Sequence, residues 1–148
     1  MKVECSIEKI KSALTLVERL TGKNLTLPVL GSVLWVATDK VLKLRSTNLS
    51  IGIEVRIPAK IEKEGIVAIR GDVLSSLFSI FSGDSKSTFE LVNDNLLVKT
   101  KTSMILLKSI PHDDFPTIPL LSGEDITLPA HKIIEGMLYA PQLLLLHP

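Results

Sequence analysis

Two hydrophobic periods alternate along the chain. At the N-terminus Val3, Cys5 and Ile7 alternate with Lys2, Glu4 and Ser6, the two-residue period of a short strand. The period then lengthens. Ile7, Ile10, Leu14 and Val17 recur at helical spacing, flanked by Ala13 and Leu20, while Glu8, Lys11, Ser12, Thr15 and Arg19 fall on the opposite face. This predicts an amphipathic helix over about 7–20, with Ser6 as N-cap and Gly22 as its stop.

Lys23 to Pro28 reads as a loop ending in an extended X-Pro pair. Ser32–Ala37 and Val41–Ser46 then form two apolar runs around Thr38-Asp39-Lys40, which predicts an antiparallel hairpin. In the second run Leu42 and Leu44 share one face and Val41, Lys43 and Arg45 the other. Ile51–Ile57 alternates strictly, and Gly65–Ile69 is a further strand. A second helix follows, capped by Asp72, with Val73, Leu74, Leu77, Phe78 and Phe81 as its apolar stripe and Ser82-Gly83-Asp84-Ser85 as its end. Thr88–Val92 and Leu96–Lys101 pair across Asn93-Asp94-Asn95, and Met104–Ile110 is the last strand.

The pattern is α+β: two helices packed on antiparallel sheets. Residues 1–116 form this domain, and 117–125 read as a proline- and glycine-punctuated linker. Ile126-Thr127-Leu128-Pro129 followed by Lys132, Ile133, Ile134, Met137 and Leu138 restarts the strand-then-helix pattern of the N-terminus. Residues 126–148 are therefore read as the start of a second, similar domain.

Composition narrows the function classes. The chain has 148 residues, 45% hydrophobic and 22% charged, enough for one domain with a true core. It has no apolar run of membrane-spanning length and no signal-peptide stretch, and its single cysteine, Cys5, fits a reducing cytoplasm. Net charge is +1, but residues 1–60 carry ten Lys/Arg against five Asp/Glu, and 61–148 carry seven against eleven. The N-terminal half is thus mildly basic.

Catalytic patterns are missing from the sequence. It contains no Gly-rich phosphate loop, paired cysteines, His-Glu-x-x-His or nucleophile elbow. His112-Asp113-Asp114 is the one cluster with metal or acid/base chemistry, and it lies in a turn with no second cluster to complete it. Single Trp35 and Tyr139 supply no stacking platform for bases. Lys11, Arg19 and Lys23, on or just after the polar face of helix one, are the cations placed to touch phosphates without reading bases.

Three motifs, each in register with the element order, carry a resemblance. They are Thr26-Leu27-Pro28-Val29-Leu30 after the basic loop, Ser46-Thr47-Asn48-Leu49 before an alternating strand, and Asp114-Phe115-Pro116 before the linker. Together they resemble the first domain of the bacterial DNA sliding clamps, the beta subunits of DNA polymerase III. Ile126–Pro129 resembles the opening of that family's second domain, and the resemblance covers the chain to Tyr139.

The resemblance implies a non-catalytic replication factor without cofactor or metal. Such clamps are rings of head-to-tail subunits, homodimers when full length, that encircle duplex DNA irrespective of sequence and tether DNA polymerase III. It implies that the loop at Lys23 and Asn24 touches DNA, beside the cations Lys11 and Arg19 that spacing alone places on the polar face of helix one. The arginine often found in that loop is replaced by Asn24, and Asp72 stands where some members carry a basic, DNA-facing residue. It implies a subunit interface at Leu77, Phe81 and Ile105, with Thr102 and Met104 where some members have arginines. Contacts to polymerase and clamp loader would belong to domains lacking here.

After Tyr139 the sequence departs from the family, and Pro141 predicts a broken helix. An interrupted or shifted reading frame near Ala140 is the expectation, leaving the second domain truncated and the subunit incomplete. Two rival functions follow from the same residues. One is a stand-alone interaction domain that caps a full clamp through Leu77, Phe81 and Ile105. The other is a small metal-dependent hydrolase using His112, Asp113 and Asp114.

Overall fold

A computed structural model describes residues 1–21, 27–81, 86–118 and 127–144, with side chains to 139 in the last stretch. Gly22, Lys23 and Asn24, and the helix end at 82–85, lie outside the described residues. The chain divides into two compact units, Met1–Ile118 and Pro119–Pro148.

The first unit opens with β1 (Lys2–Ser6) and α1 (Ile7–Val17), extended by a 3-10 turn at Glu18–Leu20. Ser6 caps α1 by accepting from the Lys9 N–H at 3.5 Å. The expected stripe is buried: Ile7, Ile10, Ala13, Leu14 and Val17. β2 (Ser32–Thr38) and β3 (Val41–Thr47) form the hairpin, turned by Asp39 and Lys40 at φ 48° and 65°, a pair of left-handed residues that matches strand twist. β4 (Gly52–Pro58) and β6 (Gly65–Arg70) flank them, giving the sheet order β4-β3-β2-β6.

The second sheet has the order β5-β1-β7-β8-β9, formed with β5 (Lys60–Lys63), β7 (Lys86–Val92), β8 (Asn95–Lys99) and β9 (Met104–Leu107). β5 is a strand the periodicity missed. Its sequence Lys60-Ile61-Glu62-Lys63 has one apolar residue, and it is extended because the edge of β1 supplies its hydrogen bonds. β9 is shorter than expected. It stops at Leu107, and Ile110 pairs instead with Ala68 of β6 in the other sheet.

α2 (Gly71–Ile80) follows β6. Its N-cap position is Arg70, with no side-chain cap, so Asp72 is a first-turn residue rather than the cap. There it accepts from the Val73 N–H at 2.8 Å, and its charge suits the helix N-terminus. Gly71 is needed for close approach, since a Cβ there would lie 2.7 Å from the Thr21 hydroxyl.

One core lies among β1, α1, both sheets and α2, centred on fully buried Trp35, Phe89, Ile10, Leu42, Leu44 and Leu74. An aromatic chain runs outward through it. Trp35 meets Phe89 at 5.4 Å between centroids, Phe89 stacks on Phe78 at 6.3 Å, and Phe78 meets Phe81 edge-on at 5.6 Å. Val73, placed on the apolar stripe by its spacing, is 38% exposed instead.

The segment after β9 forms a strap over the opposite face of the four-stranded sheet. Ile110 and Phe115 pack against a small second cluster of Leu34, Val36 and Ala68, and Ile118 seats on Gly52, where a Cβ would meet its side chain at 3.2 Å. The Phe115-Pro116 motif therefore closes the first unit by covering apolar surface.

In the second unit α3 spans Ala130–Leu144. The helix runs on through Pro141, contrary to the expected break. Proline removes one N–H from the ladder, and the carbonyl it frees can be hydrated on a helix whose described side chains are all exposed. Thr127–Pro129 make no strand ladder among the described residues.

Candidate nucleic-acid and subunit interfaces

The cations on α1 have different fates. The Lys11 Nζ donates to the Phe81 carbonyl at 2.8 Å, in a half-buried contact that bridges 70 positions of sequence. Phe81 is the C-cap of α2, so an ammonium sits where that helix leaves its carbonyls unpaired. Arg19 is exposed on the 3-10 turn, with no ion-pair partner among the described residues. Lys23 and Asn24 fall outside the described residues. The hydroxyls of Ser12 and Thr15 are turned back onto their own helix, donating to the Glu8 and Lys11 carbonyls at 3.0 and 2.9 Å.

α2 presents no cation along its length, and its first turn is acidic. Arg70, just before the helix, donates to Asp72 through Nε at 3.0 Å. That hydrogen bond holds the Asp72 carboxyl below its usual range, outweighing the effect of burial. The pair is self-neutralising, so the start of α2 offers little attraction to phosphate.

The three expected interface residues converge on one core but differ in exposure. Leu77 is 9% exposed and belongs to the core itself, while Phe81 and Ile105 are half-buried against its rim. Met104 and Leu106, on either side of Ile105, are 70% and 57% exposed. β9 is an edge strand, so these residues border a sheet edge that pairs with no further strand among the described residues.

A charged cluster that spacing did not flag lies across β3 and β4. Glu54 receives Arg45 Nε at 2.6 Å and Arg56 Nε at 2.7 Å. Burial pushes the Glu54 carboxyl up, but hydrogen bonds from Arg56 and Arg45 and their charges pull it further down, to a net value below its ordinary one. Lys43 stands directly opposite Arg56 in the ladder, a like-charge pair that Glu54 helps offset. Alternation had shown which face these residues share; only the register made them neighbours.

His112, Asp113 and Asp114 form a turn closed by the Phe115 N–H on the His112 carbonyl at 3.0 Å. Among the described residues no three His, Cys, Asp or Glu side chains converge to hold a metal ion.

The family model described as "DNA polymerase III beta subunit, N-terminal domain" matches residues 1–119. The chain belongs to that family. It is similar to the beta sliding clamp of Synechococcus elongatus, 29% identical over 140 residues that make up 93% of this chain and 37% of the relative. The beta sliding clamp of Synechocystis is 28% identical over 146 residues, again 93% of this chain and 37% of the relative. The chain thus spans little more than a third of the length of these relatives. Among solved structures, the DNA polymerase III subunit beta from Pseudomonas aeruginosa superposes with a TM-score of 0.76 and 26% identity, covering 84% of this chain and 34% of that one. The DNA polymerase sliding clamp from Caulobacter crescentus shares the fold, with a TM-score of 0.75 at 21% identity over 81% of this chain and 33% of that one. The clamp-domain resemblance read from the motifs and the α+β fold class are borne out. No helix among the described residues is long and apolar enough to cross a membrane.

Proposed function

We propose that this chain supplies the N-terminal domain of a sliding clamp, a non-catalytic processivity factor that encircles duplex DNA and tethers DNA polymerase III in the bacterial cytoplasm. The family match over residues 1–119 carries the reading. The domain organisation proposed with it is a first domain at 1–116, a linker at 117–125 and the opening of a second domain at 126–148. Ring closure and the contacts to polymerase and clamp loader need more protein than these 148 residues provide, since the relatives are far longer.

DNA contact in this reading is non-specific and weak. Arg19 and the loop at Lys23 and Asn24 face phosphates, with Lys11 as a secondary contributor because its ammonium already serves α2. Weak contact suits a sliding ring, because every phosphate neutralised adds to a grip that salt must break. Leu77, Phe81 and Ile105 form the core side of the subunit interface, with the β9 edge beside them.

Retention on DNA circles tests this. The chain alone is expected to associate with circular and linear duplexes alike, weakly and with salt sensitivity. A chimera in which residues 1–118 replace the N-terminal domain of an intact clamp is expected to stay on circles and to run off once they are linearised. Tight, sequence-selective binding by the chain would overturn the reading, as would a folded, ring-forming chimera that leaves circles as fast as linear DNA.

A further inference from the structure

Part of the basic excess of residues 1–60 is gathered by the fold on one surface. On β3, Lys43 and Arg45 alternate with Leu42 and Leu44, which are fully buried, so both cations stand on the face of the four-stranded sheet away from the main core. On β4, Glu54 and Arg56 alternate with core-packed Ile53, Val55 and Ile57 and share that outer face. Lys43, Arg45 and Arg56 thus stand around a single carboxylate, Glu54.

That carboxylate is fully used. Arg45 gives Nε and Nη2 to one Glu54 oxygen, each at 2.6 Å, and Arg56 gives Nε to the other at 2.7 Å. Arg56 has no further hydrogen bond among the described residues, so its two Nη groups are open, and its side chain is 67% exposed. Lys43 has no ion pair among the described residues. These two cations stand directly opposite each other in the ladder and repel unless an anion lies over both.

The register carries the row further. Lys43 is opposite Val36 of β2, and Val36 is opposite Ile66 of β6. Arg56, Lys43, Val36 and Ile66 therefore form one line across the sheet. The strap covers Val36, where Ile110 and Phe115 pack. Ile66, at the far end, is 43% exposed. With strands about 4.8 Å apart, Ile66 stands roughly 10 Å from Lys43.

We propose that this row docks an extended acidic segment of a partner protein, which sets two carboxylates over Arg56 and Lys43 and an apolar side chain on Ile66. An extended peptide rises about 3.3 Å per residue, so acidic residues two positions apart reach cations on neighbouring strands. An apolar residue three positions further on covers the roughly 10 Å to Ile66. The open Nη pair of Arg56 suits a carboxylate, which accepts two parallel hydrogen bonds. Nucleic acid fits this face less well. Glu54 lies among the cations, and the strap bordering the row carries exposed Asp113 and Asp114. A continuous line of phosphates meets those carboxylates, whereas a peptide places charge only where the cations are. The face is turned away from α1, which packs on the core side of the sheet. The site is therefore separate from Arg19 and does not rest on the clamp reading.

The test is a titration of the isotope-labelled 148-residue chain with the peptide Gly-Glu-Thr-Glu-Thr-Thr-Leu-Gly, followed by amide chemical shifts at low salt. Saturable shifts within 41–45, 54–58 and around Ile66 are expected, with a Kd below about 1 mM. Replacing both Glu of the peptide with Gln is expected to weaken binding about tenfold, and replacing its Leu with Ser about threefold. The double variant Lys43→Gln, Arg56→Gln removes a like-charge pair and no core contact, and is expected to bind about tenfold more weakly. The peptide variants decide the matter whatever the double variant does to folding. No saturation up to about 5 mM peptide overturns the proposal. So do equal binding of the Gln peptide, shifts confined to other elements, and a short DNA duplex that moves the same amides at lower concentration than the peptide. Retention on DNA circles judges the clamp reading separately, whichever of these results is found.

Discussion

The Lys11 ammonium lies 2.8 Å from the Phe81 carbonyl, tying the middle of α1 to the last turn of α2. A residue that sequence spacing offers to DNA is used to hold two helices together. The consequence is measurable. Lys11→Met keeps the aliphatic stem and loses the charged hydrogen bond, and is expected to cost about 1 kcal/mol in urea unfolding, given the partial exposure of the contact. Amide exchange around Phe81 is expected to quicken, while affinity for duplex DNA changes less than twofold. A variant with unaltered stability and a much weaker DNA complex would assign Lys11 to phosphate instead.

Arg19 should behave in the opposite way. It is exposed and has no ion-pair partner among the described residues. Arg19→Gln is expected to leave stability within about 0.5 kcal/mol. It is expected to lower the slope of log affinity against log salt by roughly one unit, as the loss of one phosphate contact does. An unchanged slope would remove Arg19 from the DNA face.

Glu54 links stability to acid. Its folded pKa is depressed relative to the unfolded chain, so its contribution is fully present above the ordinary Glu value of about 4.3 and is lost as pH falls through the lower folded value. Glu54→Gln is expected to cost about 1 kcal/mol at neutral pH, since Lys43 and Arg56 then face each other unscreened. The gap between variant and parent in urea melts should narrow as pH drops below about 4. A gap that stays constant down to pH 2 would show that charge is not its cause.

Phe115 tests the strap. It is half-buried against Leu34, Val36 and Ala68 on the face of the four-stranded sheet away from the main core. Phe115→Ala is expected to cost about 2 kcal/mol, less than the loss of a fully buried phenylalanine. It is also expected to open the segment at 111–118 to limited proteolysis several-fold faster. Equal cleavage rates in parent and variant would mean that Ile110 and Ile118 hold the strap without it.

Much of this architecture was legible in the pattern of residues. The stripe of Ile7, Ile10, Leu14 and Val17 marked α1, the alternation of Leu42 and Leu44 with Lys43 and Arg45 set the inner face of β3, and Asn93-Asp94 marked a hairpin turn that adopts positive φ at both positions. These are local properties: a helix or strand needs only its own apolar period, and a tight turn only residues that tolerate the left-handed region. What lay beyond them was decided by partners distant in the chain. Lys60–Lys63 has no strand period and is a strand because β1 has an open edge; Asp72 looked like a cap and is a first-turn acid bonded to Arg70; Lys11 looked like a free cation and is spent on a carbonyl 70 residues away. The sequence alone determined the family, the alternation of elements and the buried faces. Tertiary structure decided which charges are free and which edge is open, because a hydrogen bond depends on the atom that folding brings within 3 Å and not on the residue's neighbours in the chain.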